Sequence, residues 1–316
     1  MAKTNSITIE NEKILRTICG VNDKILKTIE KVCDCKLYYS GNEIHYESEN
    51  PNLIEKILNI LIQLSEKNNY ISENNVEVIY KELKSDSKMN ILDLLNVKVE
   101  IPKSKTVFRP KTINQSLYLK MLEEKDIVFA SGPAGTGKTY IAIVYALNEL
   151  LNKRTKKVVL TRPIVEAGEN LGFLPGDYVQ KINPYLVPLL SAIDSLLPQE
   201  VQTKLNEQNM IEIAPLAYMR GRTFSNSIVI LDEAQNSTYF QMKLFLTRQG
   251  EEAKLIITGD LTQIDLPKNK NNGMISAIKI LKPIEEIGFI EFNDNDVVRH
   301  PLVKKILSRY NYHENS

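Results

Sequence analysis

The run Gly132-Pro133-Ala134-Gly135-Thr136-Gly137-Lys138-Thr139 constrains this chain more than any other stretch. It fits the spacing G-x-x-x-x-G-K-[ST], and its flanks meet the context that spacing needs. Residues 127–130 form an apolar run before it, and residues 139–151 form a helix-compatible run after it. A glycine-rich turn between strand and helix lets successive backbone N–H groups face inward around an anion. The helix N-terminus adds partial positive charge at the same point. Gly132, Pro133, Ala134, Gly135, Thr136 and Gly137 are therefore expected to cradle phosphates. Lys138 should reach the β- and γ-phosphates of a nucleotide, and Thr139 should ligate Mg²⁺.

The surrounding sequence predicts a parallel α/β sheet. Residues 126–130, 157–161, 211–214, 227–231 and 254–258 are short runs rich in Ile, Val or Leu, each followed by turn chemistry or a helix. Strands buried on both faces read in this way. The run ending at Leu231 delivers Asp232-Glu233 to its carboxyl end, where open α/β sheets bind ligands. Asp232 is expected to hold the Mg²⁺ shell and Glu233 to polarise an attacking water. An acid directly after the metal carboxylate favours transfer to water over transfer to a hydroxyl, which argues against a small-molecule kinase. Thr258-Gly259-Asp260 ends the next run, and Gln263 is placed to bond the γ-phosphate or the water. Asp260 and Asp265 also suit turn caps. No guanine-reading Asn-Lys-x-Asp is present, since Asn269-Lys270-Asn271 is followed by Asn272.

Some residues stay open on sequence. An amide ahead of the phosphate loop, Gln115, can read both edges of adenine, though on sequence alone it reads first as a solvent-facing amide. Arg162, Arg220, Arg222 and Arg299 are candidates for an arginine finger, for a grip on a nucleic-acid phosphate, or for structural pairs. Cys19, Cys33 and Cys35, with the scattered His45, His300 and His313, complete no zinc set and are expected to be plain thiols and imidazoles of a reducing compartment. Residues 1–10 lack a secretory apolar core, and no run approaches membrane-spanning length. The formal charge of +1 lacks the global field of a dedicated nucleic-acid binder, so any RNA contact needs a local patch.

The first 65 residues follow another pattern: a strand at 6–9, helices at 11–19 and 24–32, strands at 36–39 and 43–47 joined at Ser40-Gly41-Asn42, and a helix at 51–65 with Leu53, Ile57, Leu61 and Leu64 inward. This order resembles a KH domain, a single-stranded nucleic-acid binder, with Gly20-Val21-Asn22-Asp23 in the place of its phosphate-clamping GxxG loop. Asp23 replaces the second glycine, and its carboxylate opposes a phosphate there; docking or oligomerisation is the alternative role. A helix is expected over 70–83, with Val76, Ile79, Tyr80 and Leu83 on one side, followed by a polar linker at 85–90. The expected domains are thus a KH-like module at 1–68, a helix and linker at 69–105, and the nucleotide domain at 106–316.

Longer motifs carry a second resemblance. Thr161-Arg162-Pro163 through Glu166-Ala167-Gly168-Glu169, Leu171-Gly172-Phe173-Leu174-Pro175-Gly176-Asp177, the stretch 215–224, Leu231-Asp232-Glu233-Ala234-Gln235-Asn236 and Asp296-Val297-Val298-Arg299-His300-Pro301 resemble the PhoH family of bacterial ATPases. The resemblance implies a RecA-like P-loop core related to superfamily 1 helicases, with ATP as nucleotide and a cytoplasmic location. It also implies a homo-oligomeric, hexameric ring and a role in RNA metabolism, with a YbeY-type endoribonuclease among possible partners. Some relatives place a PIN nuclease before the ATPase; the KH-like first 65 residues are too short for one, so no nuclease activity is expected. The expected activity is Mg²⁺-dependent ATP hydrolysis coupled to RNA binding or remodelling. The alternative is an ATP-dependent switch for a nuclease or ribosome partner.

Overall fold

The computed structural model describes residues 4–66, 71, 73–84, 94, 97–104, 106–163, 178–267 and 271–298. The expected motifs at 166–177, the linker at 85–90, and Arg299, His300 and His313 lie outside the described residues. The chain divides into two compact units, Met1–Val97 with Pro110–Ser116, and Lys98–Arg109 with Leu117–Ser316.

In the first unit, β1 (Asn5–Thr8), α1 (Glu12–Cys19), α2 (Lys24–Cys33), β2 (Lys36–Ser40), β3 (Glu43–Glu47), α3 (Pro51–Glu66) and α4 (Glu73–Lys84) follow in chain order. The strands form an antiparallel sheet, β1-β3-β2. Ser40 faces Glu43, so Gly41 and Asn42 alone make the hairpin turn, with Gly41 at φ +60°. Asn11 starts α1 by accepting the N–H groups of Lys13 and Ile14. The break after α1 is sharp because Gly20, Asn22 and Asp23 all take positive φ. A Cβ on Gly20 would meet Ile25 Cγ1 at 2.6 Å. On α3 the buried face is Ile54, Ile57, Leu58, Leu61 and Leu64, while Leu53 is only half-buried. The expected stripe was therefore rotated by one residue at its start, because the i, i+3, i+4, i+7 stripe runs from Ile54.

The second unit is built on six parallel strands: β6 (Ile127–Ser131), β7 (Lys157–Arg162), β8 (Ile211–Pro215), β9 (Ser227–Leu231), β10 (Lys254–Gly259) and β11 (Ile287–Glu291). A small hairpin, β4 (Val99–Glu100) with β5 (Val107–Phe108), precedes them. The helices are α5 (Ile113–Glu124, of which Leu117–Glu124 falls in this unit), α6 (Lys138–Leu151), α7 (Tyr178–Leu196), α8 (Gln199–Glu207), α9 (Tyr239–Leu246) and α10 (Gly273–Leu281). The strand order is β11-β6-β10-β9-β7-β8. A strand thus stands between the one feeding the phosphate loop and the one carrying Asp232, which is the RecA-like P-loop arrangement. All five residues of β9 are buried, and Phe129, Val229, Leu255, Ile257, Phe245 and Met274 join one core. The predicted strands appear within a residue of their expected ends. The edge strand β11 was not predicted, because Gly288 interrupts its apolar run. Among the described residues no helix is long and apolar enough to cross a membrane.

Candidate nucleotide site

Parallel register sets the site. Ser131 lies beside Gly259, and Thr161 beside Leu231, so the carboxyl ends of β6, β10, β9 and β7 finish at one edge. The Asp232 N–H continues the ladder to the Thr161 carbonyl at 2.9 Å, which sets Arg162 beside Asp232. A cavity of about 270 Å³ opens there, lined by the loop residues Ala134, Gly135 and Gly137, by Lys138, Thr139 and Tyr140, and by Asp232, Glu233, Asp260 and Gln263.

The loop owes its shape to glycine. Gly132, Gly135 and Gly137 have φ of +135°, +86° and +86°. The Gly132 N–H bonds the Gly259 carbonyl at 3.2 Å, and a Cβ on Gly132 would stand 2.4 Å from the Phe292 carbonyl oxygen. That neighbour is backbone and cannot swing away. Gly132→Ala is therefore expected to lower unfolding stability by about 1–3 kcal/mol or more, measurable by urea titration; an unchanged midpoint would show that the loop relaxes freely.

Lys138 opens α6, buried, with Nζ donating to the carbonyls of Gly132 and Pro133 at 2.6 and 2.8 Å. Burial pushes its pKa down, and the carboxylates of Asp260, Asp232 and Glu233 push back up. Asp232 is also buried and fully engaged. Its Oδ1 accepts the hydroxyls of Thr139 at 2.6 Å and Thr258 at 2.7 Å, and its Oδ2 accepts Nε of Arg162 at 2.8 Å and a second, very short bond from the same guanidinium. Glu233 sits at φ +53°, a region a non-glycine residue enters at a cost of about 1–3 kcal/mol. Its side chain stays 45% exposed at the cavity. Gln235 donates to Glu233 Oε2 at 2.6 Å, while its Oε1 accepts the Asp260 N–H at 3.0 Å.

Asp260 combines two jobs. It caps its turn by accepting the N–H and hydroxyl of Thr262, and it reaches the phosphate loop through the Ala134 N–H at 3.0 Å. Gln263 donates to Asp260 Oδ2 at 2.9 Å from an exposed position on the cavity wall. The Asp265 N–H donates to Asn236 Oδ1. Among the arginines, Arg162 meets Asp232 and lies 3.9 Å from Glu233. Arg222 instead forms a bidentate pair with Glu212, which holds that carboxyl down at about 2. Gln115 is not solvent-facing: it is buried, and its Oε1 accepts the Lys111 N–H at 2.7 Å. Among the described residues no group of three or more His, Cys, Asp or Glu gathers as a metal site, and Cys19, Cys33 and Cys35 are free thiols.

Sequence reasoning missed Thr258, Gln235 and the pairing of Arg162. The signal for Arg162 was its place at the end of the strand next to β9; that adjacency comes from strand order, which apolar runs do not encode.

The donor set fits a magnesium–triphosphate group. A cluster of positive-φ glycines, a buried ammonium and a hydroxyl–carboxylate pair line one cavity at a sheet edge.

Comparison with known proteins agrees with this arrangement. A family model described as PhoH-like protein matches residues 107–311. A PhoH-like protein of Bacillus subtilis strain 168 is 43% identical over 304 residues, covering 96% of this chain and 95% of that protein. A PhoH-like protein of Mycobacterium tuberculosis strain H37Rv is 40% identical over 299 residues, covering 94% of this chain and 85% of its own length. Protein PhoH of Escherichia coli K12 is 45% identical over 195 residues, covering 61% of this chain and 55% of that protein.

Proposed function

Since the chain belongs to the PhoH family, we propose that it binds ATP with Mg²⁺ over the carboxyl edge of its six-stranded sheet, hydrolyses it, and couples turnover to RNA. One observation carries this reading: the Thr139 hydroxyl, the Asp232 carboxylate and the partly exposed Glu233 carboxylate converge on the cavity that the phosphate loop lines.

The loop N–H groups and Lys138 hold the triphosphate. Lys138 already donates to two loop carbonyls, and it redirects its ammonium to the β- and γ-phosphate oxygens. Thr139 and Asp232 hold the Mg²⁺, which supplies charge neutralisation at the phosphate oxygens. Arg162 and Thr258 fix Asp232 in one orientation. Glu233 orients the attacking water and takes its proton as the water oxygen bonds the γ-phosphorus, the bond from that phosphorus to the bridging oxygen breaks and ADP leaves. Gln235 keeps the Glu233 carboxylate aimed, and Gln263 reads the γ-phosphate side of the cavity. Arg299 serves as a finger on that phosphate.

Residues 1–68 serve as the KH-like module, and the working form is a homo-oligomeric ring of six. Among the described residues there is one parallel sheet of this kind, so movement along RNA needs neighbouring copies. Phosphate release measured with and without single-stranded RNA, on protein of known mass, tests the proposal. Several-fold stimulation is expected. No response to RNA, with stimulation by a YbeY-type endoribonuclease or ribosome partner, would replace coupling by an interaction switch.

A further inference from the structure

The chain has almost no net charge, yet two segments depart from that balance together. Residues 236–250 and 266–283 contain no Asp or Glu, and they carry Lys243, Arg248, Lys268, Lys270, Lys279 and Lys282. These segments include α9 and α10, which pack closely. A Cβ on Gly273 would meet the Thr238 carbonyl oxygen at 2.4 Å and Met242 Cβ at 2.8 Å, and the Tyr239 N–H donates to the Asn271 carbonyl. Their first turns therefore lie side by side.

The exposed faces of these helices are aromatic, apolar and basic. Phe240 is 80% exposed, and Tyr239 stands against it edge-on with ring centroids 5.7 Å apart. Phe240, Lys243 and Thr247 share one stripe of α9, at i, i+3 and i+7. Ile275, Lys279 and the C-cap Lys282, at i, i+4 and i+7, share one stripe of α10, and all three are exposed. Arg248 is occupied otherwise, donating to the Leu244 and Arg222 carbonyls.

We propose that this α9–α10 face binds single-stranded RNA, with a base stacked on Phe240 and phosphates held by Lys243, Lys279 and Lys282. It rests on the RNA-coupled reading above and names where the RNA sits. A largely exposed aromatic ring offers a stacking surface only to a base that is itself unstacked, which selects single strands over duplex. Lysines carried on stretches without Asp or Glu, with the first acids after Lys282 at Glu285 and Glu286, supply a local positive field that the chain as a whole lacks.

The position also links RNA to the nucleotide. Gln235 bonds Glu233 through its side chain, and its backbone carbonyl accepts Asn272 Nδ2 at 2.6 Å. Asn272 caps α10 through the Ile275 N–H. These bonds connect the start of α10 to the carboxylate proposed to activate water.

The test uses the full chain and a fluorescein-labelled uridine 20-mer, read by anisotropy over a salt series. Phe240→Ala should weaken binding about tenfold, the scale of one lost base stack. Lys279→Ala and Lys282→Ala should each reduce the slope of log affinity against log salt by about 0.7, one single-strand phosphate contact. A matched thermal melt shows that the variants fold. Wild-type binding with unchanged affinity and slope in all three variants overturns this surface and leaves RNA coupling standing. Absence of binding by the wild type overturns both. A change in sedimentation mass for Phe240→Ala, with RNA affinity unchanged, overturns the surface in favour of a contact between copies.

Discussion

Glu233→Gln is expected to slow ATP hydrolysis by about 10²- to 10⁴-fold, the range of a positioned general base, while nucleotide binding stays at the wild-type level. The substitution is nearly isosteric, so the left-handed backbone at residue 233 meets the same steric demand before and after. The amide oxygen can still accept the Gln235 side chain that now bonds Glu233 Oε2 at 2.6 Å. What disappears is a basic oxygen facing the cavity and a negative charge 3.9 Å from Arg162. The groups that hold the triphosphate keep their bonds: Lys138 loses one of three carboxylate fields but retains both loop carbonyls, and Asp232 retains Thr139, Thr258 and Arg162. Single-turnover phosphate release alongside a fluorescent-nucleotide titration separates the two effects. Turnover at the wild-type rate would remove Glu233 from water activation and leave the charge of Asp232 as the only carboxylate in use.

The division between what the sequence made legible and what it hid is physical. Five of the six parallel strands were readable because a strand covered on both faces must be apolar throughout, as in Ile228-Val229-Ile230-Leu231. The phosphate loop was readable because backbone turned inward around an anion demands glycine at fixed spacing, and positions 132, 135 and 137 do take positive φ. Helix faces were less sharply determined. The apolar stripe of α3 starts at Ile54 and not Leu53, since adjacent apolar residues satisfy either register and tertiary packing chooses.

The bonds that orient the site were harder to see. Arg162 and Asp232 are seventy positions apart, and their pairing follows from β7 lying next to β9. Thr258 meets Asp232 because β10 lies on the other side of β9. An order of strands is a property of the whole sheet, so no local pattern announces these contacts. Gln235 is the exception: two residues after Glu233, inside a motif already singled out, its amide has both a donor and an acceptor to place.

Lys138→Ala should abolish most nucleotide binding, and the reason lies in how that ammonium is held. It is buried, which disfavours its charge, and it is retained by two loop carbonyls and the field of Asp260, Asp232 and Glu233. An ammonium kept charged in a cavity of this kind is poised for an incoming anion, which would replace carbonyl dipoles by full negative charges. Truncating one partner of such a buried charged contact costs about 2–5 kcal/mol, or about thirty- to several-thousand-fold in affinity. The loss should be visible without any turnover assay. A ligand that binds only the folded chain raises its melting temperature by mass action. A non-hydrolysable ATP analogue with Mg²⁺ should therefore stabilise the wild type and leave Lys138→Ala nearly unmoved at the same concentration. The analogue also leaves Glu233 idle, so the outcome is independent of hydrolysis. If the variant melted with the same analogue-induced rise as the wild type, the triphosphate would be held elsewhere, and the cavity at the edge of β6, β10 and β9 would not be its seat.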